Sequence, residues 1–292
     1  MNVVINLNKP KGISSQQAVT RVKRITGVRK AGHAGTLDPM ATGILLVCTG
    51  EATKITRFLS DLDKEYLTVM KLGEKTDTYD SEGTVVQRSE GFSLGKEDIE
   101  KVLAGFRGTI EQTPPMFSAL KVGGRPLYAL ARRGITVERA GREITIHGIE
   151  ITGFSLPFVG MKITCSKGTY IRSLCNDIGE ALGIGAHITD LQRTRIGGFR
   201  IENSVTIDDL EKSPAAARNA FVSVDEALGH LREISLDEGD FNRARNGLSV
   251  KLYASGLPQE SFVRLKDPSG HLFALGRVLE NTVKIERILH LC

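Results

Sequence analysis

Apolar runs of strand length and amphipathic stretches of helix length follow one another along this chain at irregular intervals. That irregularity excludes the regular strand–helix–strand repeat of a doubly wound parallel sheet and predicts a mixed α+β fold. "VVINL" (3–7) reads as a strand, followed by a helix capped by Ser14 or Ser15 that turns Ala18, Val22 and Ile25 inward. "ILLVC" (44–48) is a buried strand, and "GEATKITRFL" a helix with Ala52, Ile55 and Leu59 on one side. In "EYLTVMKLG" the period is two: Tyr66, Thr68 and Met70 face one way, Leu67 and Val69 the other. Ile99, Val102, Leu103 and Phe106 mark a helix over 96–106. "REITIHGIEITGF", with Gly148 suited to a bulge, and "VGMKITCS" read as strands. "IRSLCNDIGEALG" is a helix with Ile171, Leu174, Cys175, Ile178 and Leu182 inward and Gly183 at its end. An acidic stretch with Pro214 and an Ala-rich patch ends near residue 230. A short helix around "FNRARNG" and the strands "VKLYA", "SFVRLKD", "HLFALGRVL" and "VKIERIL" then predict a small β-barrel-like module. The expected division is therefore 1–230 and 231–292.

Charge is segregated. Residues 1–37 carry seven bases and no acid, and residues 121–142 carry six bases against Glu138 alone. Residues 201–240 hold ten acids against three bases. A net charge of +5 is modest, but two basic runs of one sign point to a face that meets a polyanion, with an acidic solvated region elsewhere. Cys48, Cys165, Cys175 and Cys292 show no C-x-x-C spacing, which argues against a disulfide framework or a zinc site and for a reducing compartment. No stretch approaches the ~20 apolar residues of a membrane span, and the N-terminal run is too short for a signal peptide. These features predict a cytoplasmic protein that does not enter a membrane.

Several chemistries are excluded by spacing. "LGEKT" lacks the upstream glycine of a phosphate-binding P-loop, and "GIGAHI" lacks the third glycine of a dinucleotide fingerprint. The six histidines are scattered singly, with no metal-ligand spacing. No cofactor and no metal are expected. What remains is Asp38, the first acid of the chain, in "GHAGTLDPMATG" (32–43). Pro39 pushes Asp38 out of the helical region, and Gly32, Gly35 and Gly43 allow tight turns or close approach of a ligand. Such an aspartate is either a structural Asp-Pro turn or a nucleophile for an electrophilic carbon. The residues alone favour the turn.

A wider pattern reverses that preference. "GHAGTLDPMATGILLVCTGEATK" (32–54) resembles the catalytic motif of the pseudouridine synthases that modify uridine 55 in the T-loop of tRNA, the TruB family. The likeness continues, in the family's order, through "NKPKGISS" (8–15), "KEYLTVMKLGEKTDTYDSEG" (64–83), "QTPPMFSALKVGGRPLYALARRG" (112–134) and "CSKGTYIRSLCNDIGEALGIGAHITDLQRTRIGGF" (165–199). It implies the pseudouridine synthase fold, a mixed and largely antiparallel sheet flanked by helices. The C-terminal segment resembles, more loosely, the RNA-binding PUA module.

The resemblance assigns roles residue by residue. Asp38 is the nucleophile of an isomerisation that detaches uracil N1 from the ribose, turns the base and rejoins it through C5, with no redox change. Attack at ribose C1′, addition at uracil C6 and elimination through a glycal all use that aspartate. Tyr66 stacks on the base and removes the departing proton, and Arg172 is the ion-pair partner of Asp38. Tyr170 and Leu191 line the uracil pocket, and Lys9 supports the site or a phosphate. His33 fills the space left when the target uridine flips out of the folded loop, an extrusion that costs a few kcal/mol. Read without the resemblance, Tyr66 is a core tyrosine and Arg172 a surface helix arginine. With no Trp and 5% aromatics, recognition of a folded RNA by shape fits better than stacking along a single strand. The short flanks around the motifs favour the stand-alone bacterial type: a monomer acting on tRNA with no protein partner. A guide-RNA-dependent catalytic subunit is the second reading, and an RNA-binding or tRNA-folding module the third.

Overall fold

The computed structural model describes residues 1–213, 219–252 and 256–291. The expected features at Pro214 and the Ala-rich patch, the end of "VKLYA", and Cys292 lie outside the described residues. Eleven strands among those described form one sheet. Its principal members are β1 (Val3–Lys9), β2 (Ala31–Ala34), β3 (Thr42–Thr49), β4 (Lys64–Leu72), β5 (Gly108–Gln112), β6 (Arg142–Ser155), β7 (Phe158–Cys165), β8 (Ala186–Ile196) and β9 (Val205–Thr206). The main path runs β9-β1-β3-β8-β4-β7-β6-β5. Only the β1–β9 and β3–β8 pairings on it are parallel, so the sheet is mixed and largely antiparallel, as expected.

The main helices are α1 (Ser15–Thr26), α2 (Lys96–Ala104) and α3 (Ile171–Ala181). Ser14 caps α1 in a reciprocal box with Gln17, which frees Ser15 for another contact. The period-two reading of β4 holds: Tyr66, Met70 and Leu72 join Met161 and Ile163 of β7 and Leu174 and Ile178 of α3 in one apolar cluster. Gly148 sits at a register shift of the β6–β7 pair. The helix expected over "GEATKITRFL" is instead a 3-10 turn over Gly50–Ile55 followed by a short α-helix over Thr56–Ser60. Ala52 and Ile55 are three residues apart, the repeat of a 3-10 turn, so both stay buried in that form.

A second sheet comprises β10 (Arg232–Ser235), β11 (Val250–Lys251), β12 (Phe262–Lys266), β13 (Leu272–Leu279) and β14 (Thr282–Ile288), in the order β10-β12-β13-β14-β11. Leu272, Leu275 and Leu289 bury themselves with Ile44, Leu46 and Ala52 of the first sheet's side, giving the two sheets a shared apolar cluster. Lys54 Nζ donates to the Ile288 carbonyl at 3.0 Å, and the Arg57 guanidinium lies 5.0 Å above the Phe262 ring across the same junction. No helix among the described residues is long and apolar enough to cross a membrane. Cys48, Cys165 and Cys175 are buried free thiols.

Candidate active site

Asp38 stands on the connection between β2 and β3. Gly35 (φ +90°) and Gly43 (φ +99°) bracket the connection in the left-handed region. Between them the loop is tied down at several points. Ser15 Oγ donates to the Leu37 carbonyl at 2.9 Å and accepts from the Leu37 amide at 2.8 Å. The Pro39 carbonyl accepts from the Gly12 amide at 2.8 Å. Lys9 Nζ, on a fully buried side chain, donates to the carbonyls of Pro10, Ile13 and Pro39. Burial pulls the Lys9 ammonium down to about 8. With three carbonyls around it, this ammonium ties the Asp38 loop to the segment after β1.

Arg172, in the first turn of α3, reaches that loop beside the apolar cluster that Leu37 and Ile171 share. Its Nε donates to Asp38 Oδ2 at 2.8 Å and its Nη2 to Oδ1 at 3.0 Å, a two-pronged contact that fixes the plane of the carboxylate. Nη2 also donates to the Phe117 carbonyl at 2.7 Å and Nη1 to the Thr78 carbonyl at 3.0 Å. Nη1 lies 3.4 Å from Oδ2 of Asp80, a carboxylate that is itself buried. The Arg172 side chain is 4% exposed and that of Asp38 30%. The arginine is therefore an interior anchor, and its aspartate partner opens toward solvent. A buried arginine between two carboxylates is a costly arrangement that a surface helix residue would not show. Sequence reasoning missed Asp80: it lies within the matched stretch 64–83, but no spacing relates it to Arg172.

The other expected residues gather around this pair unequally. Tyr66, Leu191, Leu37 and Ile171 belong to one buried cluster. Burial raises the Tyr66 phenol above its ordinary value, with the positive charge of Arg193 opposing the shift and the negative charge of Asp38 adding to it. Tyr170 caps α3, where its amide and carbonyl exchange hydrogen bonds with the Gln112 side chain at 2.8 and 3.1 Å. The Arg142 guanidinium covers its ring at 4.7 Å. His33 sits on β2 opposite Val47, with a buried Nδ1 that has no hydrogen-bond partner among the described residues.

Residues 23–171 match the family model described as TruB family pseudouridylate synthase (N terminal domain), and residues 172–234 the one described as tRNA pseudouridylate synthase B C-terminal domain. The chain belongs to the TruB family. Among curated proteins named tRNA pseudouridine synthase B, that of Chromohalobacter salexigens is 47% identical over 90% of this chain and 86% of its own length. That of Marinomonas sp. is 41% identical over 98% and 94%. Two solved structures share the fold along nearly the whole chain. An H/ACA RNP bound to a substrate RNA containing 2′-deoxyuridine aligns with a TM-score of 0.77 at 26% identity, covering 99% of this chain and 85% of that one. A Cbf5-Nop10-Gar1 complex aligns with a TM-score of 0.78 at 28% identity, covering 98% and 84%.

In this TruB-family chain the junction between the two family models falls between Ile171 and Arg172, so the Asp38–Arg172 contact joins them. Burial, helped by the charge of Arg193, lowers the His33 imidazole below its ordinary 6.5, and the ring is neutral at pH 7. A neutral flat ring suits stacking against a base and does not neutralise a phosphate. Its linkage has a defined sign. The unfolded chain takes up a proton as pH falls through 6.5 while the folded ring resists it, so the stability due to the neutral ring is complete above 6.5 and declines below. Melting wild type and His33→Phe between pH 7 and pH 5 should show a shallower loss of Tm in the variant. Parallel curves would mean that this imidazole is not held neutral.

Proposed function

We infer that this protein is a stand-alone tRNA pseudouridine synthase that isomerises uridine 55 of the T-loop. The observation that carries the reading is the two-pronged Arg172–Asp38 contact, a carboxylate oriented from the interior and open on its other side, in a chain of the TruB family. Asp38 is the nucleophile. The C1′–N1 bond breaks, the base turns, the C1′–C5 bond forms, the C5 proton leaves and N1 gains one, so the reaction needs no oxidant and no energy source. Tyr66 stacks on the base and takes part in removing the C5 proton, Leu191 and Tyr170 wall the uracil, and His33 occupies the space the extruded base leaves. Residues 1–230 form the catalytic domain and 231–292 a PUA-type module that holds RNA. The protein acts as a monomer in the cytoplasm.

A tRNA transcript tritiated at C5 of its uridines tests this directly. Purified protein alone should release about one equivalent of tritium per tRNA to water. Release that requires an added guide RNA or protein subunit would favour the guide-dependent reading, and tight binding without release the binding-only one.

Tyr66→Phe keeps the ring and removes the oxygen, and should lower kcat by about 10²-fold or more with tRNA affinity held within about threefold. Full activity would leave the ring as the only part used. Lys121, Arg125, Arg132 and Arg133 are all exposed in the segment that follows Phe117, whose carbonyl Arg172 holds. Replacing Arg132 and Arg133 with Gln should weaken tRNA binding and reduce the slope of log K against log salt by about 1 for each phosphate that is no longer neutralised. An unchanged slope would place the RNA elsewhere.

A further inference from the structure

Arg193 heads the largest fully buried side chains among the described residues, at 2% exposure. Among those residues no carboxylate pairs with it. Its donors go to backbone carbonyls instead: Nε to Ile44 at 2.8 Å, Nη1 to Thr36 at 3.4 Å and Nη2 to Gly35 at 3.1 Å. These three carbonyls belong to the two ends of the Asp38 connection. The backbone of Arg193 occupies the same junction. It pairs with Gly43 in the short parallel pairing of β3 with β8, and with Tyr66 in the antiparallel pairing of β8 with β4. A Cβ added at Gly43 would come within 2.2 Å of the Arg193 carbonyl oxygen, so only glycine allows this approach. Arg193 and Tyr66 are thus directly opposed across two strands, on the same buried face.

We propose that Arg193 is a positioning residue: one guanidinium fixes both the loop that carries Asp38 and the hydroxyl of Tyr66, and so sets the separation of nucleophile and tyrosine. The catalytic half of this proposal rests on the synthase reading above; the clamp itself does not. A core arginine without an acid is a poor filler of space, because an apolar side chain of similar volume avoids the desolvation of the charge. The planar fork can span acceptors on both sides of a loop in a fixed geometry, which a lysine cannot do. The charge of Arg193 acts on the Tyr66 phenol and on His33.

The test uses the full chain with Arg193→Lys and Arg193→Met, each also combined with Tyr66→Phe. Amide exchange over residues 35–44, tRNA affinity and single-turnover tritium release are measured on all of them. Arg193→Lys should fold, bind tRNA within about threefold of wild type, exchange the 35–44 amides faster, and turn over about 10²-fold more slowly. In the Tyr66→Phe background the same change should slow turnover by less than about 10-fold, since only the loop half of the clamp remains to be removed. Equal slowing in both backgrounds, or undiminished turnover in Arg193→Lys, overturns the link to Tyr66. Unchanged exchange over 35–44 overturns the clamp. If wild type releases no tritium, the synthase reading fails by itself, and the exchange data still decide the clamp. If Arg193→Met does not fold, Arg193→Lys carries every comparison.

Discussion

Asp38→Asn is expected to reduce single-turnover tritium release by about 10⁴-fold or more, the scale on which removal of an attacking group is felt. The substitution keeps the shape of the side chain. Arg172 retains the Thr78 and Phe117 carbonyls and the Asp80 carboxylate as partners. The loop retains the ties from Ser15, Gly12 and Lys9. The variant should therefore fold, melt close to wild type and bind tRNA within about threefold, which separates loss of chemistry from loss of structure. Retained turnover would return Asp38 to the role of a turn residue and require another nucleophile.

Arg172→Met is expected to damage both activity and stability. It strands Asp80, which is 7% exposed at its side chain, without its cationic partner, and leaves two backbone carbonyls without a donor. Breaking a buried pair by removing one member typically costs about 3–5 kcal/mol, or roughly 5–15 °C in Tm for a chain of this size. Turnover should fall with it, because among the described residues only Arg172 supplies two parallel donors to the Asp38 carboxylate. Arg172→Lys keeps the charge but offers a single nitrogen to acceptors on several sides, and should lose turnover with a smaller drop in Tm. A Met variant that melts like wild type would show that the arginine does not anchor the interior.

Much of this architecture was legible from patterning. The alternation Tyr66–Thr68–Met70, the spacing Ile171–Leu174–Cys175–Ile178 and the cap at Ser14 are local, and local rules describe them well. The 3-10 turn at Gly50 escaped because the spacing of Ala52 and Ile55 fits either helix type, and the apolar cluster they enter selects the tighter one. At the site, resemblance supplied Asp38, Tyr66 and Arg172, whereas the residues by themselves favoured a turn, a core tyrosine and a surface arginine. Asp80 and Arg193 escaped both readings. Each sits in a matched stretch, yet what singles it out is burial beside a partner far away in sequence: Asp80 lies 92 residues from Arg172 and Arg193 lies 149 from Ile44.

The sequence by itself determined the alternation of strands and helices, the glycine-bracketed loop that presents Asp38, the basic runs and the family. Each is encoded in neighbouring residues, whose periodicity, backbone freedom and charge act over a few positions. The tertiary structure alone decided that Arg172 lies inside the protein between two carboxylates, that Lys9 donates to three carbonyls, and that Arg193 spans both ends of the Asp38 loop opposite Tyr66. A charged side chain has no intrinsic preference for such a place; it is held there only because the sheet brings distant acceptors together around it, and that convergence exists only once the chain has folded.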